Sequence, residues 1–447
     1  MKKTELLKII MGLSIPFLLV GCNNKEQKCD CEVCPQESEE SEKENPPSTP
    51  AKTYEDGYDE GYDDGYFDGY LDASTDSQDE AYDEGYEDGY ETGHSEGYNE
   101  GYEAGKKEQE ELSHDIRSIH TSLQLQYLNS DNYASVPSGI NGSSENSKPL
   151  PLEFTLEESP LYKADEITAS KIRISEDKNF TSYIEANGEN SKFFVSNLKI
   201  NTLYYYYYYT ETTHGNFYSD IKEVFIRNEA PRLLDIDGVT NARDDGGWKI
   251  KGEDGKYTKQ GVVYRMGRLH ASSTKNITAA GIEAFKALGI KTEIDLRHAD
   301  DGNTVYQSAV DGVAYYNCQM DHKKSYFTDE DNREAVKEVF EIMGQEENYP
   351  LMFHCNIGTD RTGFISFMIN ALAGVEEEYL YRDYLMSNYA HIGGYRDSAS
   401  ISNYISALKG DYQGSSDLSL GAKNYMLDIG VTESEINTIK NMLLGEN

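Results

Sequence analysis

The chain has 447 residues, enough for two or three domains, and its 80 acidic against 41 basic residues give a formal net charge of -39, which makes binding to nucleic acid phosphates electrostatically unfavourable. No nucleic acid partner is expected. The charge is uneven: residues 23–111 hold 30 Asp plus Glu against 6 Lys plus Arg, so the acidic excess belongs mainly to the N-terminal quarter.

Lys2 and Lys3 precede an apolar run from Ile9 to Val20, shorter than the roughly 20 residues of a membrane-spanning helix, and the run reads as a secretory signal over 1–21. Its end, Leu19-Val20-Gly21-Cys22, resembles the lipobox of bacterial lipoproteins. That resemblance implies acylation (palmitate or a similar chain) at Cys22 and an extracytoplasmic protein anchored to the cell membrane through its N-terminal lipid; two acyl chains suffice for stable attachment. Cys29, Cys31 and Cys34 form a C-x-C-x-x-C cluster that lacks a fourth ligand, so no metal centre is assigned there, and no cofactor is expected. Residues 22–52 read as an acidic flexible linker, since Glu, Ser, Pro and Lys without apolar periodicity cannot offset chain entropy.

Residues 53–111 carry a strict repeat, with a small residue at every fourth position from Gly57 to Gly105, usually followed by Tyr and then acidic residues, G-Y-x-[DE]. A period of four is close to the helical 3.6 and favours a helix, whereas each interior Gly costs about 1 kcal/mol and stacked carboxylates repel. The pattern resembles the G-x-x-x repeat of eukaryotic adaptor proteins in iron-sulfur protein maturation, and no function follows from that. The repeat reads as a spacer, with calcium binding by its carboxylates as the alternative. Residues 112–149 read as a further linker.

From 150 to 228 the texture is that of a β-sandwich: short alternating runs at Lys171–Ile174, Phe193–Val195 and Leu203–Tyr209, separated by polar turns. In such a fold the six consecutive tyrosines, Tyr204 to Tyr209, alternate between core and surface. Leu198-Lys199-Ile200-Asn201-Thr202-Leu203-Tyr204 resembles the tyrosine corner of fibronectin type III domains, with Ile200 in place of the usual Pro. The resemblance implies a spacer or a module that binds a protein partner.

Residues 229–447 change to alternating helices and strands, the mark of an α/β domain with a central sheet flanked by helices. A helix is expected over Gly281–Leu288, strands over Thr292–Leu296 and Leu351–Phe353, and an apolar helix over Phe364–Ala373. The last strand runs into His354-Cys355-Asn356-Ile357-Gly358-Thr359-Asp360-Arg361-Thr362-Gly363. A Cys at a strand end, five residues, then Arg at a helix start lets backbone N–H groups converge on a dianion. The same field favours a nucleophilic thiolate at Cys355, and Arg361 offers two-point contact with phosphate oxygens. Asn356, Ile357, Gly358, Thr359, Asp360 and Arg361 then form the phosphate cradle, and the Thr362 hydroxyl is placed to serve the thiolate. Cys318 reads as a buried strand residue.

These residues resemble the Cys-x5-Arg protein tyrosine phosphatases, and more narrowly the bacterial tyrosine and lipid phosphatases whose loop reads H-C-x-x-G-K-D-R-T-G, with Thr359 replacing Lys. Asn241-Ala242-Arg243-Asp244-Asp245-Gly246-Gly247, Tyr264-Arg265-Met266-Gly267, Asp295-Leu296-Arg297 and Asp383-Tyr384-Leu385-Met386-Ser387-Asn388 resemble that family's other motifs, so the likeness runs from about Leu233 to Leu444. It implies a phosphatase that passes through a cysteinyl-phosphate, with Asp360 as proton donor; classical tyrosine phosphatases use a separate mobile loop, which makes Asp321 the alternative acid. His354, Arg243, Asp244 and Arg297 are expected to brace the loop. Since a Lys at 359 would suit polyphosphorylated substrates, its absence ranks a phosphorylated protein or small phosphomonoester first. A phytase-like or phosphoinositide phosphatase comes second and a non-catalytic surface binding lipoprotein third.

Overall fold

The computed structural model describes residues 115–445, apart from positions 141, 144, 190, 254 and 416 and the stretches 158–166, 272–273 and 302–304. The signal with Cys22, the cluster of Cys29, Cys31 and Cys34, and the Gly/Tyr repeat lie outside the described residues. Among the described residues no helix is long and apolar enough to cross a membrane.

The N-terminal β-domain is built from β1 (Asp115–Arg117), β2 (Leu152–Thr155), β3 (Ile167–Ser175), β4 (Ile184–Asn187), β5 (Lys192–Val195), β6 (Thr202–Thr212), β7 (Gly215–Tyr218) and β8 (Lys222–Ile226). One sheet has the order β1-β8-β6-β3-β4 with β7 against β6, and β2 pairs with β5 in a second. Alternation along β6 sends Tyr204, Tyr206 and Tyr208 inward and leaves Tyr205, Tyr207 and Tyr209 half-buried on the other face, as the period of two requires. Phe154 of the small sheet meets Tyr206 edge-on, ring centroids 4.9 Å apart, in a core shared with Ile172, Ile174, Phe193, Val224 and Ile226. The Tyr204 hydroxyl accepts the Lys199 N–H at 2.8 Å.

Within 112–149, expected to be a linker, the described residues from Asp115 onward include a strand and a helix. β1 pairs in parallel with β8 from Asp115–Val224 to Arg117–Ile226. Helix α1 (Ser122–Leu128) follows, opened by a capping box in which Thr121 and Gln124 satisfy each other's backbone N–H groups. Tyr127 and Val136 are buried in the core of the C-terminal domain. Tyr127 and Val136 are inserted singly, nine residues apart, while Ile116 and Leu123 stay exposed, so the burial follows no period that composition could reveal.

The C-terminal domain comprises β9 (Arg243–Asp244), β10 (Val263–Met266), the short pair β11 (His270–Ala271) and β12 (Thr274–Lys275), α2 (Ala279–Ala287), β13 (Thr292–Arg297), β14 (Ala314–Met320), α3 (Glu330–Met343), β15 (Leu351–His354), α4 (Asp360–Leu372), α5 (Glu377–Met386), α6 (Ala399–Gly410), α7 (Leu418–Asp428) and α8 (Glu433–Leu444). Its sheet has the order β14-β13-β15-β10-β9, parallel except for β9. All residues of β13 and β15 are buried, as expected for parallel strands covered on both faces. Helix α4 is buried from Arg361 to Leu372, so the loop that joins β15 to α4 opens from the centre of the sheet at the carboxyl ends of its strands, where open α/β sheets place ligands.

The two domains are stitched together by polar contacts. Gln260 pairs in both directions with the Ile200 backbone at 2.8 and 3.0 Å, and Arg232 bonds Leu198 O at 3.2 Å while its other arm holds Asp244 at 2.9 Å. Asp244 also accepts the N–H groups of Gly246 and Gly261. It therefore anchors the domain boundary rather than bracing the catalytic loop, contrary to the sequence expectation: its side chain points away from the one its neighbour Arg243 sends behind the loop.

Candidate active site

Cys355 sits at the end of β15 and is 2% exposed. Burial pushes its thiol up, but the Arg361 charge, hydrogen bonding from the Thr362 hydroxyl and backbone, and the Ile357 N–H outweigh it and bring the pKa below the ordinary thiol value. The Thr362 hydroxyl is buried with no other partner. The chain turns beneath the thiol at Gly358, whose φ is +70° and where an added Cβ would lie 2.5 Å from the Met266 backbone; only glycine fits that approach.

Arg361 approaches from the first turn of α4 and is 4% exposed. One terminal nitrogen is committed to Met320 O at 3.1 Å, Leu296 O at 3.3 Å and the Asp301 carboxylate. Its Nε is buried without a partner. An unpaired guanidinium N–H in a buried site costs stability. Asp301 was not singled out from sequence, although it follows the Asp295-Leu296-Arg297 strand by only four residues.

Behind the loop lies a network that motif matching did not assign. Asn241 Nδ2 donates to Ile357 O at 3.1 Å and Gly358 O at 2.9 Å; its own Oδ1 accepts from Arg243 at 2.5 Å. Arg265 donates to Gly358 O at 2.9 Å and pairs with Asp383. Asp383 also takes Arg243 Nε at 2.8 Å and the Ser366 hydroxyl at 2.9 Å. Arg243 thus braces the loop through Asn241. The missed signal is Arg265 itself, since an arginine inside the apolar strand Val263–Met266 must end on a buried partner.

The remaining expected residues are placed as follows. His354 is fully buried with Nε2 2.9 Å from Glu293 and Nδ1 3.0 Å from Cys355 O; burial opposes its charge, yet Asp295 and Glu293 together raise its pKa. Arg297 pairs with Asp295 at 2.7 Å and donates to His270 O, so its support of the loop passes through Asp295 and His354 rather than by contact. Thr359 is buried, its hydroxyl within 3.4 Å of Asn241 Nδ2; its side chain faces the brace and leaves only its backbone for a phosphate. Asn356 and Ile357 are half-buried at the mouth, where Arg268 lies 3.3 Å from Asn356 Oδ1. Asp360 gives one oxygen to Arg396 Nε at 2.9 Å and to the Tyr384 hydroxyl at 3.2 Å, and the other to a terminal nitrogen of Arg396 at 3.1 Å. Asp321 follows β14 directly; its carboxylate accepts the Lys323 N–H, which with nearby His322 and His298 holds its pKa down. Cys318 is fully buried in β14 with its thiol pushed up by burial. Among the described residues no cluster of His, Cys, Asp and Glu could hold a metal.

Residues 234–445 match the model of the tyrosine phosphatase family. The chain is 26% identical over 212 residues to a tyrosine-protein phosphatase of Nostoc commune, covering 37% of this chain and 69% of that one. It is 26% identical over 180 residues to a Cupriavidus necator tyrosine-protein phosphatase homologue, covering 35% and 63%. Among solved structures it resembles the core catalytic domain of the PP-IP phosphatase Siw14 from S. cerevisiae in complex with citrate, with 17% identity, a TM-score of 0.24, and 34% and 92% of the two chains covered. A strand-loop-helix with a buried cysteine and an arginine six residues on, inside the span that matches that family, makes the C-terminal domain of this chain a cysteine-dependent hydrolase of the tyrosine phosphatase type.

Proposed function

We propose that this protein hydrolyses phosphotyrosine or related phosphomonoesters through a cysteinyl-phosphate, outside the cytoplasm and anchored by a lipid on Cys22. The reading is carried by one observation: the strand-loop-helix that buries Cys355 also buries Arg361, whose charge lowers the thiol and whose Nε has no partner. The Cys355 sulfur attacks phosphorus and the ester P–O bond breaks, the leaving oxygen taking a proton from a carboxylic acid to become the alcohol. Water then attacks phosphorus, the S–P bond breaks to restore the thiolate, and the water's proton returns to the carboxylate, giving inorganic phosphate. Thr362, with its hydroxyl otherwise unpaired, stabilises the departing thiolate.

Asp360 remains the first choice as acid because it lies in the loop itself, although Arg396 must release one of its oxygens before that oxygen can carry a proton. Asp321 is the alternative. With Thr359 turned into the brace, the cations at the mouth are Arg268 and Arg396, and these support the second reading, a phytase-like or phosphoinositide substrate. The β-domain reads as a fibronectin type III-like sandwich, on the strength of the hydrogen bond between Tyr204 and Lys199, and serves as spacer or partner-binding module.

The test is phosphate release by the full chain from a phosphotyrosine peptide, p-nitrophenyl phosphate and an inositol polyphosphate. Cys355→Ser should abolish all three; residual turnover above about a thousandth of wild type would rule out covalent catalysis at Cys355. Mass spectrometry of the mature N-terminus tests the lipid: a start other than Cys22 without acyl mass would refute the anchor.

A further inference from the structure

Residues 121–143 do more than pass from the first strand to the second. They cross the C-terminal domain at α5 and at the turn after it, Ser387–Tyr389. Arg382, in the middle of α5 and 6% exposed, donates to Tyr127 O at 2.8 Å and Ser130 O at 2.7 Å. The Tyr389 hydroxyl bonds Leu123 O at 3.1 Å, and the Ser143 N–H bonds Tyr389 O at 3.0 Å. At Gly142 the chain passes so close to the turn that an added Cβ would lie 2.1 Å from Ala390 O. This is a strap held at both ends.

The residue next to Arg382 is Asp383, the carboxylate on which Arg243 and Arg265 end. Ser387, one turn on, touches Arg243 at 3.3 Å and Asn241 at 3.2 Å. Successive helical residues point about 100° apart, so one turn of α5 faces the strap with Arg382 and the loop brace with Asp383. A slide or rotation of that turn moves both.

We propose that the strap is a working part of the phosphate site and that Arg382 is a positioning residue for the catalytic loop. By clamping α5 it fixes Asp383 and Ser387, which fix Arg243, Arg265 and Asn241, which hold the carbonyls of Ile357 and Gly358. Misplacing a catalytic group by about 1 Å from a remote change costs on the order of a hundredfold in rate. The inference rests on the reading of the Cys355 loop as the phosphate site.

The experiment uses the full chain with Arg382→Gln, Arg382→Lys and Tyr389→Phe, and with Tyr218→Ser on the exposed face of the β-domain as control. Three quantities are measured: kcat and KM for p-nitrophenyl phosphate, inhibition by inorganic phosphate, and the pH midpoint of Cys355 alkylation. Arg382→Gln should lose at least tenfold in kcat/KM, bind inorganic phosphate more weakly by a similar factor, and move the alkylation midpoint upward. Arg382→Lys, which still reaches one carbonyl, should recover part of each, and Tyr218→Ser none of the loss. A folded Arg382→Gln within twofold of wild type on all three overturns the proposal. So does activity lost only in proportion to the unfolded fraction, with an unmoved alkylation midpoint. If Arg382→Gln does not fold, Tyr389→Phe decides in the same way, because it removes a single hydroxyl. Should the unaltered chain neither turn over p-nitrophenyl phosphate nor be protected from alkylation by phosphate, the reading of the site fails rather than the strap.

Discussion

Replacing Asn241 tests the brace directly. Its amide donates to Ile357 O and Gly358 O and accepts from Arg243, and all of these residues are buried except Ile357, which is half-buried. Gly358 O keeps its bond from Arg265 and the Arg243 nitrogen keeps a longer one to the Asn241 backbone carbonyl at 3.4 Å, so Asn241→Ala strands chiefly Ile357 O, at about 1–3 kcal/mol, and weakens the hold on Arg243 by about 1 kcal/mol. Asn241 also has a φ of +59°, where Ala pays about 1 kcal/mol or more that Asn largely avoids. The sum, roughly 3–5 kcal/mol, is a large share of a domain's stability and corresponds to a fall in melting temperature of about 10 °C. Asn241→Asp keeps the shape and the Arg243 contact but turns the donor into an oxygen facing two carbonyl oxygens. It should therefore melt above the Ala variant while losing as much phosphate affinity. In both, kcat/KM for p-nitrophenyl phosphate should drop by roughly a hundredfold, equivalent to about 2.7 kcal/mol of transition-state stabilisation. An Asn241→Ala protein that melts within about 2 °C of wild type and keeps kcat/KM within threefold would refute the assignment.

Arg361→Lys should lose at least about a hundredfold in kcat/KM, because an ammonium cannot span two oxygens in a plane and Asp301 stands ready to pair with it; near-normal activity removes Arg361 from the site. If Asp360 is the acid, Asp360→Asn slows phosphotyrosine far more than aryl phosphates with good leaving groups, by up to the 10²–10⁴-fold typical of such catalysis; the same pattern in Asp321→Asn instead would move the acid there. Burial and the neighbouring Asp383 carboxylate push Asp245 up, so its contribution to stability is complete below about pH 4 and lost as pH rises toward its raised value. Denaturant melts of Asp245→Asn should lack that decline, and an unchanged pH curve would refute it. Asp295 works oppositely: burial pushes it up, but His354 and Arg297 outweigh that and hold it down to about 2, so its contribution fails only as pH falls from the ordinary aspartate range through that value.

The helix and strands around the loop were legible because their causes are local. Thr278 caps α2 and Gly289 follows it; β15 opens as an apolar run, Leu351–Phe353, and in β13 the polar Glu293, Asp295 and Arg297 alternate with Ile294 and Leu296. Cys355 and Arg361 were legible for the same reason, since six residues of sequence fix strand, turn and helix start. Asn241, Arg265 and Asp383 lie in motifs that could be recognised, but their convergence on two carbonyls depends on bringing β10 and α5 together, which no local pattern encodes. The strap was hidden because single insertions such as Tyr127 leave no periodicity. Asp301 and Arg396 were hidden because their partners, Arg361 and Asp360, are 60 and 36 residues away in sequence.

On the proposed reading of the Cys355 loop, the brace accounts for how a chain so acidic overall holds an anion. Arg243 and Arg265 reach the back of the loop and both end on Asp383, whose single carboxylate offsets one of the two charges. Arg361 likewise gives one nitrogen to Asp301. What these groups supply is orientation. In a trans peptide the C=O and the following N–H point in opposite directions, so drawing the carbonyls of Ile357 and Gly358 backward onto Asn241 and Arg265 turns the N–H groups of Gly358 and Thr359 forward, toward the cradle. Thr359 thus contributes its amide while its hydroxyl is spent on the brace. The positive potential at Cys355 comes from the Arg361 charge, the N–H groups of Ile357 and Thr362 and the start of α4, all local to the loop.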